Sequence, residues 1–194
     1  MADNIGTAPK GTKAGLHEIQ KRLGFIPNLV SALAGAPAAL DGYLALDRAW
    51  NHSSFTAEER QIVLLAASVE NSCRYCAAVH TTMLKAMRTA PATIAAIRNR
   101  MALQEPKRNA LVKITGDIVA GRGFASEGAK RDFLAAGYDA TALKELTVGI
   151  ALATMGNYLD HLDPTPIDPA LTIEARRGAS LIKGERQCRH RKRS

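Results

Sequence analysis

Aromatic side chains are scarce in this chain: one Trp, four Tyr and four Phe make up 5% of its 194 residues. Sandwich cores lean on aromatic and β-branched residues in alternating strands, and no alternation of that period persists for more than a few residues here. A sheet protein is therefore excluded. The longest largely apolar run, 62–69, falls far short of the roughly 20 residues that span a bilayer. Residues 1–15 lack the apolar stretch that a signal peptide needs. Three cysteines are too few for a disulfide scaffold. The expected setting is cytoplasmic, where paired cysteines serve chemistry or metals more often than stapling. Acidic charge is sparse at one end: from Lys183 onward six basic residues face a single Glu185, a balance of +5 that leaves only +3 of the total +8 for the rest. The body is not a nucleic-acid footprint, and neither nucleic acid nor membrane is expected as a partner.

What is abundant is alanine and helix punctuation. Helices are predicted over 13–23, from Pro27 through Leu33, and over 38–50, where Leu40, Tyr43, Leu44 and Ala45 form the apolar side. Thr56 and Glu59 make a capping box that starts a buried helix through Ile62, Leu65, Ala66 and Val69. Asn71 or Ser72 breaks it and caps the next, which runs to about Met87. Pro91 opens a helix ending near Leu103, Pro106 one ending near Ala120, Ser126 one stopped at Gly137, and Asp139 a long one to about Leu159. Prolines 164, 166 and 169 impose an extended segment before a short helix over 173–183. The predicted organisation is a flexible start (1–12), one all-α domain (13–183) and a basic tail (184–194).

The most informative stretch reads Cys-x-x-Cys-x-x-x-His, from Cys73 through Cys76 to His80. On a helix these three share one face. Two thiols then lie close enough to form a disulfide, and an imidazole stands beside the second. Free cysteine titrates near pH 8.5; a helix N-terminus, a neighbouring His or a second Cys lowers this to roughly 3.5–7.5. Such a thiolate attacks the weak O–O bond of a peroxide and becomes a sulfenic acid, which a nearby thiol condenses into a disulfide. Proximity to His80 favours Cys76 as attacker and Cys73 as resolving thiol, although spacing alone does not fix the order. Other uses of the octet are two cysteines buried as small apolar groups and a zinc site with His161 as fourth ligand; the chain lacks the second ligand pair usual for zinc. No metal is expected.

The segment 56–83 resembles the carboxymuconolactone decarboxylase family, in particular its alkyl hydroperoxidase D-like (AhpD-like) branch. Leu23-Gly24-Phe25-Ile26-Pro27-Asn28 upstream, and Asn157-Tyr158-Leu159-Asp160-His161 with Pro166-Ile167-Asp168 downstream, extend the likeness over most of 16–169. The resemblance implies an AhpD-like helical bundle in a single domain, a homo-oligomer (dimer, trimer or hexamer), and reduction of organic hydroperoxides through the Cys73–Cys76 redox disulfide. It implies no other cofactor, and an external thiol or dihydrolipoyl-type reductant as partner. Gln61 stands where the family's peroxidases carry a relay glutamate, twelve residues before the first cysteine. An amide can orient His80 or a water but cannot act as a base; Glu58, Glu59 and Glu70 stand nearby as candidate substitutes, Glu70 among the expected site residues. Asn157 and His161, four apart, are expected to face the thiol pocket as substrate contacts, with Tyr75 packing alongside.

Two other functions compete. The lactone decarboxylation that names the family needs proton donors and an anion pocket, with no use for paired thiols. A non-catalytic helical oligomer would dock through its basic tail. Trp50 with Phe55 is expected to close the core beside a loop, His17, His52 and His190 to lie on the surface, and Cys188 to be a free thiol in the tail.

Overall fold

The computed structural model describes residues 13–175, which are helical with no strand among them. Helices α1 (Lys13–Leu23) and α2 (Asn28–Ala32) and a 3-10 turn (Leu33–Gly35) precede α3 (Pro37–Asn51). Then follow α4 (Ala57–Glu70), α5 (Arg74–Ala86), α6 (Pro91–Arg98), α7 (Pro106–Ala120), α8 (Glu127–Ala135) and α9 (Ala140–Leu162). A second 3-10 turn (Pro169–Leu171) interrupts the segment after α9. The segments 1–12 and 184–194, with Cys188 and His190, lie outside the described residues, as does the expected 173–183 helix beyond Ala175.

Helix starts follow their caps. Thr56 Oγ1 accepts the Glu59 amide at 3.2 Å while the Glu59 carboxylate accepts the Thr56 amide at 2.9 Å, so two orphan donors are satisfied reciprocally. Ser126 and Asp139 accept the amides of Ala129 and Ala142 at 3.2 and 2.7 Å. Two ends differ from expectation. Helix α6 stops at Arg98, not near Leu103, because Arg100 turns left-handed (φ 55°) and the Met101 amide folds back onto Ala96 at 2.8 Å. Helix α9 continues to Leu162, past Leu159.

Helix α4 occupies the centre, packed against α5, α6, α7 and α9. Ile62, Val63, Leu64, Leu65, Ala66 and Ala67 are all buried, the all-round pattern of an interior helix. Each such Leu or Ile contributes about 1.5–3 kcal/mol through removal from water. Trp50 lies against α9 where a Cβ on Gly149 would stand 2.7 Å from its ring, so only glycine permits that approach. Its ring centroid is 5.2 Å from that of Phe55, the closure expected of this pair. A second apolar cluster, including Leu16, Val30 and Leu40, joins α1 to α3. A third places Leu29, Leu171 and Ala175 around Cys73, Tyr75 and Cys76. There α2 and the segment following α9 meet the cysteine motif. Glu174 of that segment ion-pairs with Lys85, and its carbonyl accepts from Arg98 at 3.2 Å. Among the described residues no helix is long and apolar enough to cross a membrane.

Candidate active site

The link between α4 and α5 is a tight helix terminator. Ser72 adopts φ 61°, a conformation that costs a non-glycine residue stability. In return the Ser72 amide reaches the Val69 carbonyl at 3.0 Å and the Cys73 amide reaches Ser68 at 2.9 Å, the paired bonds of a Schellman turn. The reversal sets Cys73, and neither Asn71 nor Ser72, as the cap of α5. Its Sγ accepts the Cys76 amide at 3.3 Å. Cys76 is thereby the third residue of α5, in the first turn, where helix amides and dipole face its sulfur.

Both cysteines are free thiols and both are buried, Cys73 at 1% and Cys76 at 5% exposure. The sulfurs are hydrogen-bonding neighbours, and this bond to Cys76, followed by burial, pushes the Cys73 thiol far above the ordinary cysteine range. Cys73 therefore holds its proton. A further partner is Asp160 on α9, whose Oδ2 accepts from the Cys73 sulfur at 3.3 Å. The other oxygen of Asp160 accepts the Thr165 amide at 3.0 Å.

Cys76 and His80, one turn apart on α5, line a cavity with room for about 60 Å³ of water-sized molecules. Its walls are mostly apolar, with Leu29 and Val30 from α2, Leu64 from α4 and Leu152 from α9. No Lys or Arg is among the described residues lining it; Asp47 of α3 is its one carboxylate. Gly156 of α9 lies over the thiol, where a Cβ would stand 3.8 Å from the Cys76 sulfur, an ordinary contact distance. His80 Nδ1 lies 2.9 Å from Gln61 Oε1. With that oxygen accepting, Nδ1 bears the hydrogen and Nε2 is the basic nitrogen.

Tyr75 is fully buried beside the pair. Its hydroxyl donates to Asp168 at 2.5 Å and accepts the Leu29 amide at 3.3 Å. Burial, and then the bond to Asp168, push the phenol well above its ordinary range. Asp168 also takes the Asn28 amide at 3.1 Å, tying the chain after α9 to the start of α2.

Of the residues singled out in the sequence, the structure brings together Cys73, Cys76, His80, Gln61 and Tyr75 and sets three elsewhere. Glu70 pairs with Arg100 at 3.4 Å beside a separate hollow between α4, α6 and α7. Nine residues from Gln61, at about 100° each, it faces the opposite side of α4. Asn157 is interior and does not line the cavity: its Oδ1 accepts from Asn71 at 2.9 Å and its Nδ2 donates to Ser68 at 3.2 Å, locking α9 to the turn before the motif. His161 is exposed, its ring 6.3 Å from that of Tyr158. The α9 residues facing the cavity are Leu152, Ala153 and Gly156, and it is Asp160, one turn further, that continues toward the thiols. Among the described residues no three His, Cys, Asp or Glu side chains gather as a metal site. The partners missed in the sequence are Asp160, Asp168 and Asp47. The first two stand within the stretches quoted for the family resemblance, a signal that could have marked them.

A helical bundle with a paired-thiol motif at the mouth of one buried helix defines the class. The carboxymuconolactone decarboxylase family model matches residues 34–117. No curated protein matches the sequence. Among solved structures, an uncharacterized peroxidase-related protein with an alkylhydroperoxidase AhpD core from Ralstonia eutropha JMP134 superposes with TM-score 0.78 at 18% identity, covering 91% of this chain and 95% of that one. A second uncharacterized peroxidase-related protein, from Silicibacter sp. TM1040, gives 0.72 at 17% identity, covering 87% and 88%. The debrominase Bmp8, solved as a cysteine-to-alanine variant in complex with 2,3,4-tribromopyrrole, gives 0.78 at 12% identity, covering 91% and 95%. The all-α, AhpD-like fold is thus shared along nearly the whole chain.

Proposed function

We propose that the chain is a thiol-dependent peroxidase that reduces small uncharged organic hydroperoxides. The observation that carries this reading is the position of Cys76: first turn of a helix, on the wall of an apolar cavity, with His80 beside it and a protonated Cys73 behind it. His80 Nε2 takes the Cys76 thiol proton, the thiolate attacks the outer peroxide oxygen, the O–O bond breaks, and the alkoxide leaves with the proton His80 gives back. The sulfenic acid formed is attacked by Cys73, water departs and the Cys73–Cys76 disulfide remains. Two equivalents of an external thiol, of dihydrolipoyl or similar type, return the pair to the reduced state. The chain works as a homo-oligomer, and no metal or further cofactor enters the cycle.

The cavity argues against lactone decarboxylation. A carboxylated lactone needs a cation to hold it, and no Lys or Arg is among the described residues that line the wall. The same largely apolar cavity suits a halogenated aromatic, and the thiol pair supplies the two electrons that a reductive dehalogenation requires. Stopped-flow mixing of reduced protein with cumene hydroperoxide, hydrogen peroxide and a bromopyrrole, followed by mass mapping of the linked cysteines, tests the reading. Peroxide is expected to consume two thiols per chain and to produce the Cys73–Cys76 disulfide, and Cys76→Ser to abolish turnover. Full activity in that variant would remove the foundation of the proposal, and faster oxidation by the bromopyrrole would reassign the substrate.

A further inference from the structure

Closing the disulfide poses a problem that the mechanism above leaves open: Cys73 must lose a proton at a site with 1% exposure and raised thiol basicity. His80 and Gln61 stand on the cavity side, with Cys76 between them and solvent-excluded Cys73. The ionisable groups facing the Cys73 sulfur are Cys76 from α5 and Asp160 from α9.

We propose that Asp160 is the catalytic base of the resolving step, accepting the Cys73 proton as Cys73 attacks the oxidised Cys76 and passing it out of the core. Three observations converge on it. Its Oδ2 already accepts from the Cys73 sulfur at 3.3 Å. The Thr165 amide holds Oδ1 at 3.0 Å, so the carboxylate is oriented by backbone and not by a mobile side chain. Asp160 itself is half-buried while Cys73 is sealed, so it bridges thiol and solvent. Cys76 and Asp160 both meet the Cys73 sulfur; once Cys76 carries an OH, the carboxylate of Asp160 is the basic group left beside that sulfur.

The step balances. The Cys73 sulfur forms a bond to the Cys76 sulfur, the S–O bond breaks, the thiol sulfur is oxidised and the sulfenic sulfur reduced. The thiol proton moves to Asp160 and from it to solvent, and the departing hydroxide takes up a proton from solvent on the cavity side and leaves as water. This assignment rests on the thiol-pair reading given above, and the test separates the two.

The variant is Asp160→Asn, whose Oδ1 can still accept from Thr165. Closure is followed by two routes. In the first, peroxide oxidises Cys76 and the sulfenic acid is trapped at timed intervals with dimedone. In the second, oxidised glutathione forms a mixed disulfide with Cys76 and release of glutathione is timed, a route that needs no peroxidase activity. General-base assistance is worth about 10²–10⁴-fold, so the variant should close at least a hundredfold more slowly at pH 7 by both routes, with sulfenic acid accumulating. The native chain should show a closure rate flat between pH 6 and 8, the signature of an internal carboxylate base, and the variant a rate rising tenfold per pH unit as hydroxide takes over. Closure in the variant within threefold of the native rate overturns the proposal, as does a native rate that climbs tenfold per pH unit; the second result stands without the variant should it fail to fold. A native Cys76 untouched by peroxide would sink the peroxidase reading alone, and the glutathione route would still decide the role of Asp160.

Discussion

Substituting Tyr75 with Phe removes one oxygen from the junction where α2, α5 and the chain after α9 meet. The ring stays, so apolar packing is nearly unchanged and the loss is electrostatic. Two bonds vanish: the donation to Asp168 at 2.5 Å and the acceptance from the Leu29 amide at 3.3 Å. A bond to a charged acceptor is worth about 1.5–3 kcal/mol, and a buried donor left without a partner costs about 1–3 kcal/mol. Leu29 is 5% and Asp168 4% exposed, so water does not replace the hydroxyl freely. Asp168 keeps the Asn28 amide, which limits the damage. Allowing for non-additivity, the variant should lose about 2–4 kcal/mol, or about 5–15 °C in Tm for a domain of this size. Urea unfolding of the reduced protein measures the loss. A double-mutant cycle with Asp168→Asn should return a coupling of about 1.5–3 kcal/mol. A loss under about 0.5 kcal/mol, or a coupling near zero, would refute the view that this hydroxyl fastens the junction.

Two further substitutions address the cavity. Gly156→Ala places a methyl at ordinary contact distance from Tyr43, Leu29 and the Cys76 sulfur, 3.5–3.8 Å. Relieving glycine in a helix interior should raise stability by about 0.5–1 kcal/mol, while the methyl narrows the site and slows cumene hydroperoxide more than hydrogen peroxide in stopped-flow oxidation; equal slowing would mean that the bulky substrate enters elsewhere. Gln61→Glu sets a carboxylate against the Nδ1 hydrogen of His80, favouring the imidazolium. It should speed peroxide reduction about tenfold near neutral pH and leave glutathione-driven closure unchanged, and a variant no faster than the parent would exclude proton delivery by His80.

Helix starts could be read from residues because caps are local: Thr56 with Glu59, Ser126 and Asp139 each act within three positions of themselves. Ends were harder where the left-handed residue is not glycine. Ser72 and Arg100 give no turn signal, yet the first makes Cys73 the cap and the second shortens α6. The thiols and His80 were legible from one helix's periodicity, whereas Gln61 was marked only by the family resemblance, twelve residues before the first cysteine. The acids that serve them were not. Asp160 reaches Cys73 and Asp168 reaches Tyr75 across 87 and 93 residues of chain, a pairing that only the packing of α9 and its following segment creates. The same limit misassigned Asn157 and His161: a spacing of four predicts a shared face, but α9 outruns the body it packs on, and its last turn carries His161 into solvent while Asn157 remains interior.

The two sulfurs thus sit in environments that divide the labour. Cys76 meets the cavity, the helix amides and His80; Cys73 meets a carboxylate and a closed wall. If both thiols were equally exposed, peroxide could oxidise either, and a second oxidant could overtake closure and drive Cys76 to a sulfinic acid. Sealing Cys73 prevents its own oxidation but also strands its proton, and a sealed thiol without a base would close slowly enough to invite that damage. The segment after α9 meets both demands at once: Leu171 and Ala175 cover the pair, while the Thr165 amide orients Asp160 toward it. The cover lies on that segment and the proposed base on the last turn of α9 that leads into it, so on the proposed reading adjoining stretches of chain shield the resolving thiol and activate it.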